Sequence, residues 1–414
     1  MSEVSARSRG NAENVAFARH GRLKHRTVWA SVLKFVAIAL AVVLVSGASV
    51  AAIAVNRLQG NISTVILQGQ NTAPVEAPAG IGSFEGGFNL LIVGSDQCVD
   101  PAGCLDRTEK LNDVTILVHV AADQQSAVAV SFPRDLLTRI PSCPLEDGSG
   151  NSGAVSSQQL NVSYSIGGLP CTVLTVKELT GLDIPYAGMM TFEGVQEMST
   201  AIGGVEVCID GPINDPNSGL NLPAAGTYTL EGAQALAFLR TRYGVGDGSD
   251  LGRISSQQVF LSSMVRKIKD EGTLTDLPRL FSLADAATRN MTLSDSLASG
   301  TTLVSMALVL RDIPLESITF VQYPTEGLAG SGRVVPLQAE AAELIAKLEA
   351  DEPFTLDSGT GEGSTADPNA PVASATPTPS GSVDPSASES AAPEVLEGVL
   401  GQTAADYTCS VAND

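Results

Sequence analysis

DVTILVHVAADQQSAVAVSF, residues 113–132, is the stretch on which the fold depends. Two runs rich in β-branched residues, 113–121 and 126–132, flank the polar link Ala122–Gln125. Valine, isoleucine and threonine suit a pleated strand, and two such runs joined by a short polar link are typical of a hairpin. The stretch therefore predicts two antiparallel neighbouring strands.

Segments of strand and helix character alternate on both sides of this hairpin. FNLLIV (88–93) is a short apolar run that predicts a buried strand, and GVEVCID (204–210) predicts another. Helices are predicted at 172–181, 192–204, 230–242 and 251–270. Because strands interleave with helices and one pair is antiparallel, we expect an α/β domain over residues 84–354, with a mixed central sheet flanked by helices.

The hairpin also brings charged residues together at one end. Pairing around the polar link sets Asp113 beside Arg134, and FNLLIVGSD sets Asp96 just past a further strand. Polar residues beyond strand ends are where α/β folds usually build sites. Carboxylates suit Mg²⁺ and a guanidinium fork suits phosphate, although each aspartate taken alone is also an ordinary strand-end residue. The combination predicts a site for a cation and a phosphate.

A second group of arginines occurs in FLRTRYGVGDGSDLGRISSQQVFL (238–261), in a chain whose formal net charge is −21. That overall charge repels nucleic-acid phosphate, so any phosphate binding must be local. Arg240 and Arg242 end a predicted helix, where positive charge is favourable without any ligand. Arg253 begins the next helix, where positive charge is unfavourable, and Gln257 shares its face one turn later. Arg253 therefore indicates a bound anion.

The N-terminal part has the pattern of a membrane anchor. Residues 35–55, FVAIALAVVLVSGASVAAIAV, carry no charge and match the length that spans a bilayer. Basic residues precede them at Arg7, Arg9, Arg19, Arg22, Lys24, Arg26 and Lys34. The positive-inside rule then predicts a cytoplasmic arm 1–34, a single transmembrane helix 35–55 in the plasma membrane, and an extracellular remainder. A cleaved signal peptide is the alternative.

All the cysteines follow the apolar span, at Cys98, Cys104, Cys143, Cys171, Cys208 and Cys409. An even number confined to the external part indicates disulfides formed in an oxidising space. Six cysteines allow 15 pairings, and Cys98 with Cys104 is the nearest pair in sequence.

Two stretches outside the domain are predicted from composition. Residues 56–83 form a polar spacer, and residues 355–394, rich in serine, proline and alanine, are predicted to be a disordered acidic linker. The segment 395–414 follows that linker and contains Cys409. We therefore expect a disulfide that tethers this segment back onto the domain.

Seven motifs, in this order, resemble the LytR-CpsA-Psr family: NLLIVGSD, LNDVTILVHV, VSFPRDLLTRIP, QLNVSYSIGG, IGGVEVCID, LEGAQALAFLRTR and GDGSDLGRISSQQVFL. The resemblance spans roughly residues 88–269. It implies a membrane-anchored phosphotransferase that moves a glycopolymer from a polyprenyl-pyrophosphate carrier onto peptidoglycan, facing the cell wall. It also implies Mg²⁺ or Mn²⁺ as cofactor and an apolar tunnel for the lipid.

The resemblance assigns roles by motif. Asp96 and Asp113 are the expected metal ligands. The expected catalytic and phosphate-clamping residues are Arg134, Asp135, Arg240, Arg242 and Arg253. The expected substrate-binding residues are Arg107, Asp250 and Gln257.

Two departures accompany the resemblance. Leu111-Asn112-Asp113 stands where many members have Arg-Ser-Asp, with Arg107 nearby, and Ser256 stands where members often have arginine. A pyrophosphatase acting on the lipid-linked head group and a non-catalytic wall-binding or regulatory protein are the alternative functions. The transferred polymer is open, with arabinogalactan slightly favoured by the external cysteines and acidic tail.

Overall fold

The computed structural model describes residues 32–39, 42, 46, 62–67, 84–96, 110–270, 277–357, 359–371 and 393–413. The chain divides into two compact units, Met1–Val55 and Asn56–Asp414. In the first unit, residues 32–39, 42 and 46 are helical. No helix within the described ranges combines the length and apolar character needed to cross a membrane. The predicted transmembrane helix 35–55 and basic arm 1–34 lie mostly outside the described residues.

The second unit is built on a large sheet. Its strands are β1 (Ser63–Val65), β2 (Phe88–Ser95), β3 (Asn112–Val120), β4 (Ala127–Phe132), β7 (Tyr186–Thr191), β12 (Met291–Ser294), β13 (Ile318–Gln322) and β19 (Gly401–Thr403). Their spatial order is β1-β12-β7-β2-β3-β4-β13-β19. The pairs β1–β12, β2–β7 and β4–β13 are parallel and the other pairs are antiparallel, which confirms the mixed sheet. Strand β1 lies within the stretch predicted to be a spacer, residues 56–83.

The predicted hairpin is β3–β4, at the middle of this sheet. Thr115 pairs with Phe132 and Val120 with Ala127 in antiparallel register. The link between the strands turns at Gln124, whose φ is 58°. The central position follows from the sequence, because side chains on both faces of these strands are apolar and need cover on both sides.

Helices provide that cover. They are α1 (Val162–Thr180), α2 (Phe192–Ala201), α3 (Gly232–Arg240), α4 (Asp250–Asp270), α5 (Leu277–Asn290), α6 (Gly300–Asp312) and α7 (Gln338–Glu349), with short 3-10 turns at Asp295–Leu297 and Leu315–Ser317. On one face of the sheet, Leu117 and Val130 join the core formed with α1 and α7. On the other face, Ile116 and Phe320 join the core formed with α6.

Helix α1 begins well before the predicted start at residue 172. Gly167 and Gly168 adopt non-helical dihedral angles and kink it, which interrupts the periodicity that marks a helix in the sequence. Gly181 ends the helix as predicted, with φ of 77° in the left-handed region where glycine is favoured.

A second, smaller sheet contains β8 (Val205–Ile209), β11 (Gly226–Leu230), β17 (Ser364–Ala366) and β20 (Thr408–Ser410), in the order β11-β8-β20-β17. The remaining strands form pairs: β5 (Leu137–Ile140) with β6 (Val155–Gln159), β9 (Ile213–Asp215) with β10 (Leu220–Leu222), β14 (Thr325–Leu328) with β15 (Arg333–Pro336), and β16 (Phe354–Leu356) with β18 (Glu394–Leu396).

The C-terminal segment is part of this second sheet. Strand β20 pairs in parallel with β8, and Cys409 is disulfide-bonded to Cys208 with their Cα atoms 4.4 Å apart. The predicted tether is therefore confirmed, and Cys208 is its partner. The predicted disordered linker 355–394 is wrong for residues 355–357, 359–371, 393 and 394, which include β17 and the ends of β16 and β18; residues 358 and 372–392 lie outside the described part.

A second disulfide joins Cys143 to Cys171, with Cα atoms 5.2 Å apart. It fastens the kinked region of α1 to the loop that follows β5, and both cysteines are fully buried. The pair suggested by sequence proximity, Cys98 with Cys104, lies outside the described residues.

Candidate anion-binding site

The site begins with an irregularity at the end of the central hairpin. The pairing of β2 with β3 passes from Gly94–Val114 to Ser95–Asn112, so Asp113 is the extra residue of a β-bulge. Arg134 follows the end of β4, and its Nη1 donates to Oδ1 of Asp113 over 2.6 Å. The hairpin therefore brings Asp113 and Arg134 together as its register predicts.

Carboxylates surround the Arg134 guanidinium. Its Nε lies 3.7 Å from Oδ1 of Asp135, and its main-chain N–H donates to Oδ2 of Asp250 over 2.9 Å. Burial alone lowers the pKa of Arg134, but the charges of Asp113, Asp135 and Asp250 outweigh burial and raise it. Arg134 is thus a permanent cation held by three carboxylates.

The first turn of α4 contributes a buried ion pair. Nη2 of Arg253 lies 2.5 Å from Oδ1 of Asp250 and also donates to the main-chain oxygen of Asp113 over 2.9 Å. Both side chains are almost fully buried. Burial raises the pKa of Asp250, whereas the charge of Arg253 opposes that rise. The unfavourable cation at this helix start is therefore stabilised first by Asp250.

Arg242 enters from the loop after α3. Its Nη1 lies 3.6 Å from Oδ2 of Asp135, and its Nε donates to the main-chain oxygen of Gly248 over 3.2 Å. Arginines from three separate segments thus converge on three aspartates. We call this group the arginine–aspartate cluster; its members are Asp113, Arg134, Asp135, Arg242, Asp250 and Arg253.

The net charge of the cluster is zero, but its solvent-exposed side chains are mainly positive. The side chains of Arg134 and Arg242 are 29% and 30% exposed, whereas those of Asp113, Asp135 and Asp250 are 16%, 10% and 6% exposed. Exposed charges control the attraction of a ligand, since buried ones are already compensated by their partners. The accessible face of the cluster is therefore positive.

Two guanidinium nitrogens of the cluster are incompletely satisfied. Nε of Arg134 and Nε of Arg253 are buried and have no hydrogen-bond partner within the described parts of the chain. A buried donor without an acceptor costs about 1–3 kcal/mol. The cluster is thus not arranged for stability alone, which is typical of a functional site.

Arg240 and Gln257 lie outside the cluster. The Arg240 guanidinium carbon lies 4.6 Å from the centre of the Phe192 ring, and the side chain has no ion pair or hydrogen bond to other described residues. Gln257 is buried, and its Nε2 donates to the main-chain oxygen of Leu239 over 2.8 Å. Gln257 therefore holds the end of α3 against α4, and Arg240 keeps its donors for another partner.

Asp96 lies at the same end of the sheet. Its Oδ1 accepts from the main-chain N–H of Leu111 over 3.0 Å, and its own N–H donates to the Leu111 oxygen over 3.3 Å. Leu111, where the resemblance leads us to expect arginine, thus contributes backbone contacts to this sheet end. Arg107 lies outside the described residues.

Sequence reasoning missed three residues that support the site. Nε2 of Gln159 donates to Oδ1 of Asp135 over 2.6 Å, and Phe192 lies beneath Arg240. Asp215 is buried and accepts from the hydroxyl of Thr241 over 2.7 Å and from the N–H of Arg242 over 3.3 Å. Burial alone raises the pKa of Asp215, but these hydrogen bonds outweigh it and lower the pKa. Only a turn signal after β9 marks Asp215 in the sequence.

A groove of about 630 Å³ lies elsewhere, between α2, α3 and α5. It is lined by Gln196, Glu197, Thr200, Ala201, Gly232, Ser282, Ala286 and Arg289. None of these residues belongs to the cluster, and their mixed polarity does not match the apolar tunnel that the resemblance implies. The chemistry of the cluster, rather than the size of this groove, defines the candidate site.

Fold and site together define a class, an α/β protein that brings arginines from distant segments together at one end of a mixed sheet. The family model of the LytR_cpsA_psr family matches residues 56–350. The chain therefore belongs to this family.

Individual relatives are distant. The cell wall biosynthesis protein LcpA of Corynebacterium glutamicum is 28% identical over 337 residues, which cover 74% of this chain and 61% of LcpA. The polyisoprenyl-teichoic acid–peptidoglycan teichoic acid transferase TagT of Bacillus subtilis is 24% identical over 246 residues, 58% of this chain and 70% of TagT. This chain thus spans less than two thirds of the length of LcpA.

Among solved structures, a LytR-Csp2A-Psr enzyme from Actinomyces oris superposes with a TM-score of 0.52. It is 22% identical in sequence, and the superposition covers 69% of this chain and 95% of that one. At this identity the likeness supports the fold alone, and it agrees with the mixed sheet flanked by helices.

Proposed function

We propose that this protein transfers a glycopolymer from a polyprenyl-pyrophosphate carrier to peptidoglycan and links the two by a phosphodiester. The observation that carries the proposal is the exposed positive face of the arginine–aspartate cluster, formed by Arg134 and Arg242. Family membership supports it, as does the transferase activity in the name of TagT.

The proposed reaction is a phosphoryl transfer. A peptidoglycan hydroxyl oxygen forms a bond to the phosphorus that carries the glycopolymer, and the bond from that phosphorus to polyprenyl phosphate breaks. Polyprenyl phosphate leaves, and the hydroxyl proton passes to a carboxylate or to water. Such reactions need positioning and charge stabilisation more than covalent help, which suits a site made of guanidinium and carboxylate groups.

The arginines have different proposed roles. Arg134 and Arg242 are about one third exposed and would donate to the pyrophosphate oxygens. Arg253 is buried and would orient Asp250 and the backbone of Asp113. Arg240, which rests on Phe192 with unused donors, would bind a further oxygen of the head group.

A divalent cation, Mg²⁺ or Mn²⁺, is proposed as cofactor with Asp96 and Asp113 as ligands. The donor type fits, since Mg²⁺ is usually held by one or two carboxylates together with substrate phosphates. Oδ2 of Asp113 has no hydrogen bond within the described chain, so one ligand oxygen is available. The net charge of the cluster also favours a bound cation. Because the charges of its arginines and aspartates cancel, a bound pyrophosphate without a cation would leave the site strongly negative. When bound, the cation would stabilise charge on the transferring phosphate.

Metal dependence is tested with Asp113→Asn. We expect the variant to lose transfer by about 10²-fold or more, because a carboxamide is a weaker ligand and no longer offsets Arg134. Chelation should abolish transfer by the unchanged protein, and added Mg²⁺ or Mn²⁺ should restore it. Asp123→Asn, in the exposed turn at the other end of the hairpin, is the matched control. Full activity in chelator would exclude the metal role.

The transfer itself is tested with a synthetic polyprenyl-pyrophosphate oligosaccharide, with and without peptidoglycan fragments. We expect a peptidoglycan-linked product only when acceptor is present, and about 10²- to 10³-fold less product from Arg240→Ala. Arg139→Ala, which removes an exposed arginine paired with Glu178, is the control. Equal phosphate release without acceptor would identify a pyrophosphatase, and no turnover at all would identify a binding protein.

We propose that the domain lies outside the cell, anchored by residues 35–55. The disulfides Cys143–Cys171 and Cys208–Cys409 support this, because structural disulfides persist in oxidising compartments. In the same assay, intact cells treated with external protease should lose transfer activity. Activity that resists such treatment would contradict the external location.

A further inference from the structure

The C-terminal segment contacts the loop and the helix that carry two arginines of the arginine–aspartate cluster. Residues 359–371 and 393–413 lie beyond residue 350, where the family match ends. They nevertheless contact the glycine-rich chain between Arg242 and Arg253, two of the three cluster arginines. Glycine residues have a large conformational freedom to lose when they are ordered. The position of this loop therefore depends on the contacts that fix it.

The loop after Arg242 is held by an isolated antiparallel β-bridge between Val245 and Ala412. The N–H of Gly246 donates to the oxygen of Val411 over 2.9 Å, and the N–H of Asn413 donates to the oxygen of Gly244 over 3.1 Å. Nδ2 of Asn413 donates to the oxygen of Tyr243 over 2.9 Å. Asn413 therefore binds two consecutive carbonyl groups directly after Arg242.

The first turns of α4 are held by the same segment. The hydroxyls of Ser256 and Ser410 are 2.7 Å apart, and the Ser256 hydroxyl also donates to the oxygen of Gly363 over 3.3 Å. A Cβ atom on Gly363 would lie 2.0 Å from the oxygen of Gly252, so the two backbones are in direct contact beside Arg253. Ser256, which departs from the family pattern, is thus used for docking the C-terminal segment.

The segment is itself fixed on its far side. The N–H of Asp210 donates to the oxygen of Ser410 over 3.0 Å, and Oδ1 of Asp210 accepts from the N–H of Ala412 over 2.8 Å. The Cys208–Cys409 disulfide lies next to these contacts. Residues 408–413 therefore connect the second sheet both to the glycine-rich loop after Arg242 and to α4.

We propose that residues 408–413 are a positioning element, which sets the distance between Arg242 and Arg253 and thereby the affinity of the site for a pyrophosphate group. This proposal depends on the function proposed above in one respect, the choice of pyrophosphate as the anion. It assigns Ser410 and Asn413 no contact with substrate; they act through the loop and the helix.

The test measures binding of inorganic pyrophosphate, in the presence of Mg²⁺, to the full chain by calorimetry. Asn413→Ala and Ser410→Ala should each weaken affinity about 3- to 10-fold, the effect of losing one neutral hydrogen bond that holds the site. Thr403→Ala is the matched control, because it removes a hydroxyl of the same C-terminal segment that donates to Asp406, away from the glycine-rich loop and α4. Its affinity should equal that of the unchanged protein.

A double variant tests the Ser256–Ser410 contact, and unfolding temperatures measured beside the affinities separate a purely structural role from positioning. If the Ser256–Ser410 pair acts as a unit, Ser256→Ala with Ser410→Ala should weaken pyrophosphate binding no more than either single change. Lower unfolding temperatures with unchanged affinity in both Ser410→Ala and Asn413→Ala would overturn the proposal. Asn413 is exposed, so its variant remains informative if Ser410→Ala does not fold.

The two proposals fail in different ways. If the unchanged protein binds pyrophosphate but forms no peptidoglycan-linked product, the transferase function fails and the variant affinities still decide the positioning role. If transfer occurs and the variants bind as tightly as the unchanged protein, only the positioning role fails. Absence of pyrophosphate binding by the unchanged protein overturns the positioning role, because there is then no anion site to set.

Discussion

Arg134→Ala is expected to reduce glycopolymer transfer about 10²- to 10³-fold while the domain remains folded. Arg134 lies at the centre of the cluster, in contact with Asp113, and part of its guanidinium is exposed to ligand. Removing one preformed donor that faces a developing charge typically costs this much. The fold should survive, because Asp113 is partly exposed and can be rehydrated when its partner is lost.

Comparison with Arg134→Lys sharpens this experiment. Lysine keeps the positive charge but offers no planar fork, so we expect it to restore only part of the activity. Transfer is measured as product per unit time at saturating acceptor, and folding is checked by thermal unfolding. Arg311→Ala, which removes an exposed arginine paired with Asp312, is the control for loss of a positive charge. If Arg134→Ala kept more than about a third of the activity, the proposed site would be wrong.

Arg253→Ala is expected to have the largest effect on stability, a loss of about 3–5 kcal/mol in the free energy of unfolding. Asp250 is almost fully buried, and Arg253 is the cation in contact with its carboxylate Oδ1. Removing that cation leaves a buried charge uncompensated, and the cost of such a charge exceeds that of an exposed ion pair several times over.

A second substitution tests this explanation. Asp250→Asn removes the uncompensated charge and keeps an oxygen that can accept from the N–H of Arg134. The double variant Arg253→Ala with Asp250→Asn should therefore be more stable than Arg253→Ala alone. Denaturant unfolding of the full chain gives both free energies. If Arg253→Ala lowered the free energy of unfolding by less than about 1 kcal/mol, the ion-pair explanation would be contradicted.

The effect of Arg253→Ala should also depend on pH. Burial already raises the pKa of Asp250 in the folded protein, and loss of Arg253 removes the charge that opposes this rise. A group whose folded pKa is raised contributes stability below its unfolded pKa and loses it as pH rises through the folded value. The variant should therefore be closest to the unchanged protein in acid and furthest from it at neutral pH.

Local patterns were sufficient for most of the fold. The β-branched runs on either side of residues 122–125 predicted the central hairpin, and its register alone brought Asp113 next to Arg134. Helices α2, α3 and α4 followed from their apolar periodicity, and the unfavourable charge of Arg253 at a helix start indicated a site. These signals are short-range, because strand pairing across a tight link and helical periodicity depend on neighbours within a few residues.

Only the tertiary structure decided which of the predicted site residues meet. Arg242 joins the cluster and Arg240 instead rests on Phe192, although the two arginines are separated by a single residue. The end of α3 lies between them and turns their side chains in different directions. The sequence assigns Arg240 and Arg242 the same role, because it does not show in which direction each side chain points at the end of a helix.

The sequence by itself determined that the chain contains an α/β domain with an arginine- and aspartate-rich strand end. The tertiary structure alone decided that Cys409 pairs with Cys208 and that residues 408–413 fasten the loop after Arg242. The physical reason is distance along the chain. Contacts that close loops of some two hundred residues have no local signature, and they form only when packing of the whole domain repays the entropy of loop closure.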